Sequence, residues 1–195
     1  MDSILNQAEK IQKQAWNIID KTNVIHIWEN IGAQINVIGS LKTGLMINHR
    51  DIDFHIYSTP FNLVDSFSAV AKLAENPGIR HICYANLLDE EDQCLEWHAT
   101  YLDELNQEWT LDMIHLHENS PFVGYFEKVS DGILCKLTPS NKQTILSIKY
   151  ETAKIGKFPA IKIYQAVLQQ NITTTNDFLG WFSTQKENEI EQWMP

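Results

Sequence analysis

Residues 35–57, INVIGSLKTGLMINHRDIDFHIY, constrain the fold more than any other stretch. An apolar run ends at Gly39-Ser40, a turn follows, and DIDFHIYS then alternates cleanly. Successive strand side chains point to opposite faces. Ile52, Phe54 and Ile56 therefore share one side, and Asp51, Asp53, His55 and Tyr57 the other. Such a strand needs a sheet with one buried face and one face that carries polar chemistry. Two carboxylates side by side repel, and one takes up a proton unless a cation neutralises the pair. Oxygen-only ligands suit Mg²⁺, which completes its shell with water and substrate phosphate. Gly39, lacking a side chain, lets the backbone approach a phosphate closely, and Ser40 can hydrogen-bond its oxygens. A helical turn opening there would aim free N–H groups at the same anion. A phosphate cradle beside a metal dyad is what activation of a nucleoside triphosphate requires.

The rest of the chain supplies the frame. Its 195 residues suit one domain, and 44% hydrophobic residues suffice for a core. Ile4, Leu5, Ala8, Ile11, Ala15, Ile18 and Ile19 recur at helical steps. A second short helix is expected over 24–30, and AQINVIGS as a buried strand. The spacing predicts a helix over 61–75, with Phe61, Val64, Phe67, Val70 and Leu73 inward. Strands are expected over 80–88, 94–102 and 108–117, the first two joined by the acidic loop at 89–92. Pro139 behind Thr138 opens a helical region, read as helices over 140–155, 159–170 and 175–192. The class is α+β: a mixed sheet with one crossover helix, flanking helices and a helical C-terminal part. The natural division is 1–135, N-terminal helices plus sheet, and 136–195, helical.

Charge and cysteine usage narrow the partners. Lys and Arg number 15 against 25 Asp and Glu, a net charge of −10, which argues against a binder of long nucleic acid. Cys83, Cys94 and Cys135 form no Cys-x-x-Cys pair and read as reduced thiols of a cytoplasmic protein. The N-terminus mixes charge with apolar residues at helical spacing, so it reads as neither signal peptide nor anchor. No stretch approaches the roughly 18 apolar residues of a membrane span.

The motif Ile38-Gly39-Ser40, a turn containing Gly44, then Asp51-Ile52-Asp53-Phe54 resembles the nucleotidyltransferase superfamily with the DNA polymerase beta-like palm. The close match covers 35–57, and the order of elements fits over 20–117. The chain departs from many small members at Thr43, where they carry arginine, and at Arg50, where they carry serine. The resemblance implies a third carboxylate from a later strand, and Asp112 in WTLDMIHL is the natural candidate. It implies two Mg²⁺ ions held by Asp51, Asp53 and Asp112, an NTP (ATP foremost), and transfer of its nucleoside monophosphate to an acceptor hydroxyl. Asp112 has a second role open to it, as the base that takes the acceptor proton. Small members often bring a basic residue from the first C-terminal helix to the triphosphate. Lys142 and Lys149, seven apart on one helix face, are the candidates here.

Outside the motif, Glu96 and His98 alternate against Leu95, Trp97 and Ala99, which offers them either as lining of the same cleft as the dyad or as a solvated strand face. With His55 and Tyr57 they are candidates for an acceptor cleft. His115 and His117 lack a partner acid and read as structural. Residues 136–162 carry six lysines against Glu151 alone, a local excess of +5 that leaves the remainder near −15. An acidic cleft suits a small-molecule acceptor, a cationic one especially, as with antibiotic-modifying members of the superfamily. The alternatives are nucleotidylation of a protein partner and a non-catalytic nucleotide sensor or scaffold.

Overall fold

The structure, a computed structural model, describes residues 3–185 and 193–195. The N-terminal helix α1 (Ile4–Thr22) starts where the Ser3 side chain accepts the Asn6 N–H, and it stops at Asn23 in the left-handed region. After α2 (Val24–Glu29) come β1 (Gln34–Val37), the single turn α3 (Gly39–Thr43) and β2 (Asp51–Tyr57). Helix α4 (Leu63–Ala74) crosses over to β3 (Ile79–Leu87), β4 (Cys94–Leu102) and β5 (Glu108–Leu116). Four helices complete the described chain: α5 (Tyr125–Lys136), α6 (Pro139–Thr152), α7 (Ala160–Leu168) and α8 (Thr175–Phe182). This is the expected α+β class.

The strands form one five-stranded mixed sheet, order β1-β2-β5-β4-β3. Only β2 and β5 run parallel; the other pairs are antiparallel. Alternation sorts the two faces. Ile52, Phe54, Ile56, Trp97, Leu111 and Met113 are buried against α1, α2 and α4. The opposite face carries Asp51, Asp53, His55, Glu96, His98 and Asp112 and is overlaid by the later helices. A second core lies among α5, α6, α7 and α8, centred on Ile145, Leu146, Ile163 and Phe178. Helix α1 serves both cores, placing Ile18 and Ile19 in the first and Ala8 in the second.

Three local expectations are revised. β1 is a half-exposed edge strand, not a buried one, and Gly39-Ser40 open a helical turn instead of ending it. In α4 the buried face is Ser66, Ala69, Val70 and Leu73, while Val64 is 67% and Phe67 41% exposed. The Asn62 side chain caps the helix two residues later than expected. Ser66 can be interior because its hydroxyl accepts the buried Trp97 indole N–H at 3.0 Å. Phe61 precedes the helix and stacks on His115 and His117 instead.

The third revision is α5, for which the sequence pattern gives no signal. It follows a left-handed Gly124 and contains Gly132, where a Cβ would come within 2.9 Å of Pro195. Small size at 132 serves packing of the chain end and weakens the helical signature. The expected helix 175–192 is present over Thr175–Phe182, and its stretch 186–192 lies outside the described residues.

Candidate active site

Register brings the carboxylates together. Asp53 on β2 is the direct parallel partner of Asp112 on β5, and Asp51 lies two residues before Asp53 on the same face. Burial foremost, then the charges of Asp112 and Asp51, push the Asp53 carboxyl up to about 7. Asp51 is raised for the same reasons, burial first and Asp112 next, with His49, Lys149 and Lys157 pulling the other way. The three acids therefore repel one another in a partly dry place, which a divalent cation relieves.

Gly39 is tied to this arrangement. It has φ +66°, and a Cβ there would overlap the Asp53 carboxylate. Only glycine satisfies both the backbone conformation and the approach. Ser40 stands next to it, and Tyr164 of α7 shares a 2.9 Å hydrogen bond with its hydroxyl.

Lys149 is buried, and its ammonium donates to Ser40 Oγ (3.0 Å), the Leu45 carbonyl (2.7 Å) and Tyr164 Oη (3.1 Å). All three protons are committed, so Lys149 fastens the α3 turn to α6 and α7. Lys142 lies elsewhere, its Nζ 3.4 Å from where a Cβ on Gly44 would sit, and it lines neither large cavity.

His98 on β4 is the register partner of Asp112. Its Nδ1 lies 2.6 Å from Asp112 Oδ1, and its Nε2 lies 3.6 Å from Glu96 Oε2. Burial pulls the imidazole pKa down, but the Asp112 bond and the two carboxylate charges outweigh it and raise it. Among the described residues no group of three or more His, Cys, Asp or Glu side chains is gathered as a cation-holding set. Asp112 instead holds His98. The donor chemistry still fits a hard cation, since three carboxylates on adjacent strands offer only oxygen.

Two cavities meet at Asp53 and Ser40. One, of about 550 Å³, is lined by Asp51, His49, Lys149, Lys157, Phe158 and Met46, among others. The other, of about 570 Å³, runs under α5 and carries Asp112, Glu96, His98 and His55 along its wall. His55 is buried there, edge-on to Phe126. Tyr57 is not in this cavity. Its hydroxyl donates to Glu127 of α5 at 2.7 Å and accepts the Gly124 N–H at 3.1 Å, fastening α5 to the sheet. His115 is a core ring, bonded to Ser58 and held near pKa 4 by burial.

Lys157, His49 and Phe158 line the cavity beside Asp51 and Asp53, and the motif does not announce them. The lysine excess of 136–162 was the available signal for Lys157. No family model and no curated protein matches the sequence. Solved structures do match. The chain is similar to Cid1 in complex with its short product ApU, at TM-score 0.58 and 15% identity over 82% of this chain and 48% of that one. It is similar to the Cid1 poly(U) polymerase with MgGTP bound, at TM-score 0.61 and 15% identity over 82% and 50%. A cytoplasmic RNA terminal U-transferase matches at TM-score 0.54 and 13% identity over 82% and 51%.

The fold is that of the nucleotidyltransferase palm. The chain spans about half the length of these solved structures. Strand β2, which carries Asp51 and Asp53, and strand β5, which carries Asp112, are neighbours in this sheet. Among the described residues no helix is long and apolar enough to cross a membrane.

Proposed function

We propose that the chain is a metal-dependent nucleotidyltransferase that moves a nucleoside monophosphate from an NTP to a hydroxyl of a small-molecule acceptor, with pyrophosphate leaving as the α–β phosphoanhydride bond breaks. The observation that carries this is the set of three carboxylates on one strand pair, placed between a lysine-lined cavity and a carboxylate-lined one. Asp51, Asp53 and Asp112 would hold the metal. Mg²⁺ supplies charge neutralisation at the triphosphate and activation of the attacking hydroxyl.

The chain's own groups do the rest. Lys157 and His49 face the lysine-lined cavity and balance phosphate charge, and Phe158 and Met46 give the base an apolar wall. Ser40, held by Lys149 and Tyr164, faces both cavities and marks where the two substrates meet. The acceptor hydroxyl approaches from the α5 side and loses its proton beside Asp112. His98 links Asp112 toward Glu96 and offers that proton a way out.

A second reading, transfer to an RNA end, is favoured by the RNA-directed neighbours. Calorimetry with each NTP, with and without Mg²⁺, on wild type and on Asp51→Asn/Asp53→Asn tests the site. Metal-dependent binding lost in the double variant is expected. Binding of no NTP by folded protein would remove the catalytic reading. Labelling from α-³²P NTP then separates small-molecule from RNA acceptors.

A further inference from the structure

The cavity beneath α5 has a composition that says what enters it. Its volume, about 570 Å³, is within the range of ligand sites. Ile114 and Leu116 of β5, Phe126, Val129 and Ile133 of α5, and Ile161 of α7 give it apolar walls. Among the described residues, the carboxylates that line it are Asp53, Asp112, Glu96 and Asp92, and no lysine or arginine does. Its two imidazoles already face acids: His98 faces Asp112 and Glu96, and His55 lies 3.7 Å from Glu127. The adjoining cavity, by contrast, holds Lys149, Lys157 and His49. The two sides of Asp53 are thus sorted by charge. Phosphates belong with the lysines. A polyphosphate chain on the α5 side would meet Glu96 and Asp92 beyond the acids assigned to the metal, with no lysine or arginine among the described lining residues to balance it.

We infer that the α5 cavity takes a compact ring-bearing alcohol or phenol, uncharged or cationic, with its ring among Ile114, Phe126 and Ile133 and its hydroxyl turned toward Asp53 and Asp112. That this hydroxyl is the group modified rests on the proposed transferase activity. The binding preference does not, because size, apolar walls and charge are properties of the cavity itself. The lack of lysine and arginine among the described lining residues disfavours an RNA 3′ end there, and the apolar walls disfavour a polyol.

Calorimetric titration of the full chain without nucleotide tests this, using tyramine, 2-phenylethanol, 4-hydroxyphenylacetate and the tetranucleotide rA4. Tyramine and 2-phenylethanol are expected to bind, and 4-hydroxyphenylacetate about tenfold more weakly or worse. Ile114→Arg, which sets a cation among the apolar walls, should abolish binding of both while Mg²⁺-NTP binding persists. Should that variant fail to fold, Glu96→Gln serves instead, narrowing the preference for tyramine over 4-hydroxyphenylacetate. Equal binding of the anion, no binding of either alcohol, or displacement of tyramine by rA4 or by ATP would each overturn the inference. Tyramine binding with no NTP binding would strike the transferase reading and leave this ligand class standing.

Discussion

Asp53 sits in an electrostatic conflict with Asp112 and Asp51. Its carboxyl titrates near 3.8 when solvated and is pushed up to about 7 in the fold, by burial first and by Asp112 and Asp51 next. The folded chain therefore binds the extra proton between those values. Stability from this group is present below about pH 4 and is lost as pH rises toward 7. Without divalent cation, Asp53→Asn should remove that decline, gaining on the order of 1–3 kcal/mol at pH 8 and little at pH 4. Urea unfolding at the two pH values reads it, and loss of transfer accompanies it. Gly39→Ala should cost about 2–4 kcal/mol and weaken NTP binding, because strain at positive φ adds to a collision with Asp53; urea unfolding and calorimetry report both. At this scale the sequence was informative where one strand carried the message. Asp51 and Asp53 were readable from alternation alone. The His98–Asp112 bond was not, because it depends on the register between β4 and β5.

Two lysines of the helical region separate at the element scale. Lys149 is a buried pin among α3, α6 and α7, whereas Lys157 is exposed beyond α6 and lines the cavity. Lys149→Met should cost about 2–4 kcal/mol, since the Leu45 carbonyl is left without its donor. Lys157→Ala should leave the melting temperature unchanged and raise the NTP Kd about tenfold, as one phosphate contact is worth. Thermal melts and calorimetry on the two variants check this division. Helix α5 is held to the sheet through Glu127. Burial alone would raise that carboxyl, but the His55 imidazole 3.7 Å away and the hydrogen bond from Tyr57 overcome it and leave it at about 2. Its contribution is present above about pH 4.5 and is lost as pH falls toward 2, so Glu127→Gln should flatten that acid limb of a stability-against-pH curve. The sequence was least legible for these elements. α4 has apolar residues on both flanks of its buried stripe, so Val64 and Phe67 mimic core positions while Ser66 takes the true one. α5 is short, interrupted by Gly132 and preceded by a glycine, and its inward face is decided by the cavity it covers.

For the whole molecule, charge decides which polymers it tolerates. The net −10 is distributed as a lysine-rich stretch over 136–162 and an acidic remainder. A 15-nucleotide single strand should bind no tighter than about 10 µM at 0.15 M salt, because neither cavity offers a continuous cationic track. Filter binding across a salt series measures it, and a steep salt slope with tight binding would favour the RNA reading. The same mixed sheet that sorts these charges has one parallel ladder, β2 with β5, and it joins residue 51 to residue 110. Closing so long a loop costs chain entropy before any contact repays it. During folding, Asp53 and Asp112 therefore become neighbours late, after the local hairpin of β3 and β4 can already have formed. A half-folded chain has a pair of acids and no third. On the proposed function, the capacity to hold a charged nucleotide arrives together with the wall that shields it from water, and a lanthanide luminescence probe should report the assembled acids after tryptophan burial, never before.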